Sequence, residues 1–137
     1  MYGDTAASRK RVAQLREQGG DVRALAARLV SQAEAVPWHG KAAEAMRERI
    51  RERAGHLRAV AAQHDTAADS LAAHLVEVDR LKEAIDVRSR KATTLVEDAR
   101  TRASEGATGD DADAALTSFD PPPAGHRDWL TVDLPGL

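Results

Sequence analysis

The sequence predicts an all-α protein built as an antiparallel helical hairpin. Three observations carry this. Apolar residues recur at helical spacings of three, four and seven on both sides of one short interruption. That interruption, Pro37-Trp38-His39-Gly40, contains the only proline among the first 120 residues. The apolar content, 42% of 137 residues, is rich in alanine, and aromatics make up only 3%. Alanine faces let helices approach closely and cannot build a thick core around large rings.

The first helix is expected over about residues 5–36. Val12, Leu15, Val22, Leu25, Leu29, Ala33 and Val36 mark its apolar side. Gly19-Gly20-Asp21 falls inside this run. Each glycine costs roughly 1 kcal/mol relative to alanine in a helix, and Asp21 is a good cap for a fresh start. The run therefore reads either as one helix weakened at 19–20 or as two helices broken there. Pro37 ends it, because proline lacks the N–H and disfavours helical geometry at the preceding residue.

The turn spans residues 37–40, and a second helix follows over about 41–104. Its seam reads Met46, Ile50, Ala54, Leu57, Ala61, His64, Ala68, Leu71, Leu75, Val78, Lys82 and Ile85, a heptad alternation of threes and fours. It weakens afterwards but continues through Ala92, Val96 and Ala99. At ~1.5 Å per residue this helix is roughly twice as long as the first. Its far end finds no partner within the hairpin, which implies a second chain or a break near Asp86.

From Gly106 the composition changes to small, acidic and proline-rich. Residues 105–137 hold seven acids and one base, a net of −6, which leaves +4 on the rest of a chain whose net charge is −2. This segment is expected to be a largely disordered tail. One domain, 1–104, therefore carries the fold.

Composition and motifs narrow the function. Without cysteine there is no disulfide framework and no thiolate metal site. The five histidines contain no pair three or four apart, and Asp110, Asp111 and Asp113 lack the rest of a calcium loop. No metal or cofactor is expected. No nucleophile elbow, phosphate loop or dinucleotide fingerprint is present, and a two-helix hairpin offers little concave space for catalysis; the chain reads as a non-enzyme. The five arginines of residues 46–58 are interleaved with Glu48 and Glu52 and lack stacking aromatics, so a solvated face is favoured over nucleic-acid binding. His64 reads as a seam imidazole with a hydrogen-bonding partner. No apolar stretch is long enough for a membrane span, and the start, MYGDTAASRKRVAQL, has no apolar signal core.

Trp38 has two readings. It is a packing plug at a helical turn, or a projecting ring that is recognised. The run Trp38-His39-Gly40-Lys41-Ala42-Ala43-Glu44-Ala45-Met46 resembles the signature of the Trp-x-Gly family, the early-secreted-antigen-like substrates of bacterial type VII secretion. Residues 22–50 also resemble the export domains at the start of actinobacterial type VII toxins, and the likeness covers roughly residues 5–85. The resemblance implies pairing of hairpins into four-helix bundles, with itself or with another protein of this kind. It implies recognition of Trp38 and Gly40 by a secretion ATPase, and passage out of the cell from the cytoplasm without a cleavable signal peptide.

In the family a Tyr-x-x-x-acid motif after the second helix completes the signal. Here the sole tyrosine, Tyr2, is at the other end, and Trp129-Leu130-Thr131-Val132-Asp133 offers the same spacing with tryptophan instead. If helical, Trp129 and Asp133 share a face; otherwise Trp129 and Leu130 dock on the bundle or stay disordered. The partner-binding seam is expected at Leu25, Leu29, Met46, Ile50, Leu57, Leu71, Leu75 and Val78. The competing reading is an intracellular helical adaptor or chaperone-like coiled-coil protein.

Overall fold

A computed structural model describes residues 5–106 and 109–137. Helix α1 runs Thr5–Ala35, helix α2 runs Lys41–Ser104, helix α3 runs Asp111–Thr117, and a short 3-10 helix covers Arg127–Thr131. The described residues contain no strand, and the two long helices pack against each other as a hairpin. Tyr2 lies outside the described residues. None of the described helices is long and apolar enough to cross a membrane. The chain divides into two compact units, one ending at Leu75 and the other beginning at Val76.

In the first unit, α1 is a single helix, unbroken at residues 19–20. The buried positions explain why glycine is there. Val12, Gly19, Ala26 and Ala33 are the buried residues of α1, one every seventh position. Across from them on α2, Ala54, Ala61, Ala68 and Leu75 are buried with the same period. A seam of such small residues brings the helices to the close end of the usual spacing of about 8–10 Å. At Gly19 the approach is close. A Cβ there would lie 3.1 Å from Asp65 Oδ1 and 3.3 Å from the Ala61 carbonyl oxygen. The local helix penalty of Gly19 is accepted because its missing side chain makes room for α2.

The register is fixed along one edge by ion pairs. Arg16 meets Asp69 at 3.3 Å, Arg23 pairs with Asp65, and Arg51 lies 4.0 Å from Glu34. These pairs are solvent-exposed and orient the helices more than they stabilise them.

The second unit corrects an expectation. Residues 111–137 were expected to be largely disordered, yet they fold back onto the far half of α2, which is continuous through Asp86. Leu116, Trp129 and Leu134 are buried against Ile85, Ala92, Val96 and Ala99. Phe119 packs beside the indole with ring centroids 6.0 Å apart. The polar groups are matched too. Asp110 caps α3 by accepting from the Asp113 N–H at 3.0 Å. The indole Nε1 of Trp129 donates to the Pro123 carbonyl at 3.1 Å. Arg88 of α2 donates to the carbonyl oxygens of Trp129, at 2.8 Å, and Val132. Arg102 donates to Asp113 at 2.6 Å, which holds the Asp113 carboxyl below the usual aspartate range and raises the guanidinium.

The physical reason is the uncovered end of α2. Its seam continues as Val78, Ile85, Ala92 and Ala99, again every seventh residue, beyond the stretch that α1 covers. The chain's own end supplies the apolar cover there.

Candidate functional site: the hairpin tip and its apolar face

The tip is built by local chemistry. Pro37 fixes φ and has no N–H to lose. The N–H of Trp38 reaches back to the Val36 carbonyl at 2.8 Å, a three-residue turn centred on that proline. Gly40 sits at φ 107° with no heavy atom within 4 Å of a would-be Cβ. The left-handed backbone alone requires glycine there. Its carbonyl accepts from the Glu44 N–H at 3.0 Å and starts α2.

The residue that organises this tip is Arg47, which the sequence reading assigned to the solvated basic face. Its side chain is only 11% exposed. Its guanidinium donates to the carbonyl oxygens of Ala33 at 3.3 Å, Val36 at 2.9 Å and Trp38 at 2.5 Å, and to Glu44 Oε1 at 2.9 Å. Arg47 thus satisfies carbonyls that the end of α1 leaves without helical partners. A planar fork of donors suits this better than a lysine. Arg47→Ala should cost about 1 kcal/mol, since exposed carbonyls regain water when the clamp is lost. Arg47→Lys should recover less than half of that. Chemical denaturation of the three proteins checks this.

Within this anchored backbone the Trp38 side chain stays outside. It is 49% exposed, beside Val36 at 43%. Trp38 is therefore not the buried plug of the alternative reading.

Most of the large seam residues of the first unit are only partly buried and form a face beside the core of Val12, Ala68 and Leu75, against which Leu15 and Leu71 also pack. Leu15, Val22, Leu29 and Val36 each follow a buried small residue of α1 by three positions. Ile50, Leu57, His64 and Leu71 each precede a buried residue of α2 by four. Both offsets rotate around the helix in the same sense. Because the helices are antiparallel, the two sets come out on one side of the hairpin, away from the ion-paired edge. Leu15, Val22, Leu29, Met46, Ile50, Leu57, His64 and Leu71 are all half-buried. Leu25 and Val60 are exposed, at 43% and 40%, one position before Ala26 and Ala61. The register set by Arg23–Asp65 and Arg51–Glu34 makes them level across the hairpin.

The expected partner-binding residues therefore separate. Leu29, Met46, Ile50, Leu57 and Leu71 line this open face, with Leu25 at its margin. Leu75 is buried against α1 with Val12, and Val78 is buried in the second unit. His64 bonds through Nδ1 with the Val60 carbonyl at 3.0 Å, within its own helix.

The Trp129–Asp133 spacing does not make a helical face. Trp129 is 4% exposed, the 3-10 helix stops at Thr131, and Val132 is extended. Asp133 is exposed beyond it while the indole is buried. Asp113 is taken by Arg102, and the described residues contain no group of three histidines or acids able to hold a metal.

No protein family, no curated protein and no solved structure matches this chain.

Proposed function

We propose that this chain is a Trp-x-Gly-like substrate or export partner of a bacterial type VII secretion system, acting by pairing its hairpin with another helical hairpin or with a second copy of itself. The observation that carries the reading is Trp38. A large ring stands half-exposed at a tip whose carbonyls are locked by Arg47. A solvated tryptophan on an ordered turn has little to offer folding and much to offer a receptor. In this reading Trp38 and Gly40 are the part of the export signal read by the secretion ATPase. The protein leaves the cytoplasm folded, and the partner chain supplies the second half of the signal in place of the buried Trp129.

The apolar face supports the pairing step. Half-buried leucine and isoleucine side chains along both helices, widened by Leu25 and Val60, form a surface of the kind that a second hairpin covers. The double variant Leu25→Asp, Val60→Asp places two charges at the margin of the face, at positions that already meet solvent. It should retain its helicity by circular dichroism. It should lose partner capture on co-expression with neighbouring gene products, and light scattering should report a monomer where the parent gives a dimer. A parent chain that is monomeric at micromolar concentration and captures no helical partner would remove the pairing step. Pairing without export would leave the helical adaptor reading standing.

A further inference from the structure

The apolar face of the hairpin is flanked by charges of nearly one sign. We propose that this face takes an acid-rimmed helical partner, a protein other than a second copy of this chain. The inference rests on the pairing reading and names the chemistry of the partner. It does not use Trp38.

Helical position puts the arginines there. Arg11 and Arg53 precede the buried Val12 and Ala54 by one residue. Leu25 and Val60 precede Ala26 and Ala61 by the same step, so these arginines continue the margin that the two apolar residues mark. Arg28 follows Ala26 by two positions and Arg49 precedes Ala54 by five. Both offsets turn the same way around their helices, toward the open side. The four arginines are exposed, and none has an ion pair among the described residues. The acids lie elsewhere. Glu34, Glu48, Asp65 and Asp69 sit on the opposite edge, each with an arginine partner. Among the described residues of this unit, Asp21, two positions after Gly19, is the one acid on the open side.

A second copy fits this pattern poorly. A two-fold interface sets a surface against itself. Arginine rims then face arginine rims in either orientation, with Asp21 alone of opposite sign. Like charges brought together across an interface select against that partner. A different helical chain with carboxylates flanking its apolar strip meets the same leucines with the opposite sign. The apolar residues supply the burial in both cases. Charge therefore decides between the partners, and self-pairing is the weaker of the two.

The test uses the full chain and a probe made from it, the variant Arg11→Glu, Arg28→Glu, Arg49→Glu, Arg53→Glu, which keeps the apolar face and reverses its rim. With one chain labelled, titration at about 50 mM salt should show the parent binding this probe at least about 10-fold more tightly than itself. Raising the salt to about 0.5 M should weaken the mixed pair and not the self-pair, because screening removes attraction from one and repulsion from the other. Leu25→Asp, Val60→Asp in the parent should abolish the mixed pair, which places it on this face. The neutral set Arg11→Gln, Arg28→Gln, Arg49→Gln, Arg53→Gln does not depend on the acidic variant folding. It should self-associate more tightly than the parent at the lower salt. A mixed pair no tighter than the self-pair, or indifferent to salt, overturns the proposal and leaves pairing itself intact. So does a mixed pair that survives Leu25→Asp, Val60→Asp. Co-sedimentation of the parent with phosphatidylglycerol vesicles that the acidic probe fails to compete away makes the face a lipid surface and overturns it too. Absence of association in every combination removes the pairing reading along with this one.

Discussion

Trp38→Ala should abolish secretion while leaving the melting curve and partner capture almost unchanged. The ring is half-exposed, and truncating a solvated side chain usually costs under about 0.5 kcal/mol. A fully buried tryptophan would behave differently, losing about 3–5 kcal/mol on truncation. The exposed setting of Trp38 thus separates recognition from packing in one experiment. The backbone under the ring is held by Arg47 and by the Trp38 N–H to Val36 bond, neither of which needs the indole. The turn should therefore keep its shape without it. Gly40→Ala is the companion variant. Nothing crowds its Cβ, so any loss reports the strain of a positive φ and not a clash. Export that survives Trp38→Ala, or that falls only in step with unfolding, would refute the recognition role.

The hairpin was legible in the sequence because its two strongest signals are local. Pro37 and Gly40 act on their own φ angles, and the three–four alternation of α2 needs no knowledge of what it faces. The seam was read as one stripe. Only the packed helices divide it into alanines that touch α1 and larger residues that stay half-open, since an offset of about 40–60° around the helix is decided by the partner. Gly19 misled for the same reason. Its local cost is visible in the sequence, while its benefit lies in Ala61 and Asp65, more than 40 positions away.

Arg47 was hidden among five arginines of one basic run. What distinguishes it is that it reaches back to the carbonyls at the end of α1, a relation fixed by the turn. The last segment was misjudged because composition reports average hydrophobicity. Four prolines and seven acids dilute the signal of Leu116, Phe119, Trp129, Leu130 and Leu134, which are few but converge on one strip of α2. An uncovered helical seam and a late tryptophan were both visible. Their pairing was the missing step.

Gly19→Leu should destabilise the hairpin by about 1–3 kcal/mol, the usual cost of forcing volume into a packed seam. The contact explains why it cannot relax cheaply. Of the two nearest atoms to a new Cβ, Asp65 Oδ1 belongs to a side chain already bound to Arg23, and the Ala61 oxygen is backbone. A leucine therefore has to push α2 away, and the buried alanine seam beside it would loosen with it. The neighbouring glycine gives the opposite sign. Gly20 is exposed, with nothing within 4 Å of its would-be Cβ. Gly20→Ala should stabilise by about 0.4–1 kcal/mol, through a less flexible unfolded chain and better helix propensity. Gly19→Ala lies between them, since the helix gains what the crowded seam loses, and should stay within about 0.5 kcal/mol of the parent. Denaturant melts of the three variants measure this directly. If Gly19→Leu proves as harmless as Gly20→Ala, the helices do not meet closely at residue 19, and the account of α1 as one unbroken helix pressed onto an alanine seam fails with it.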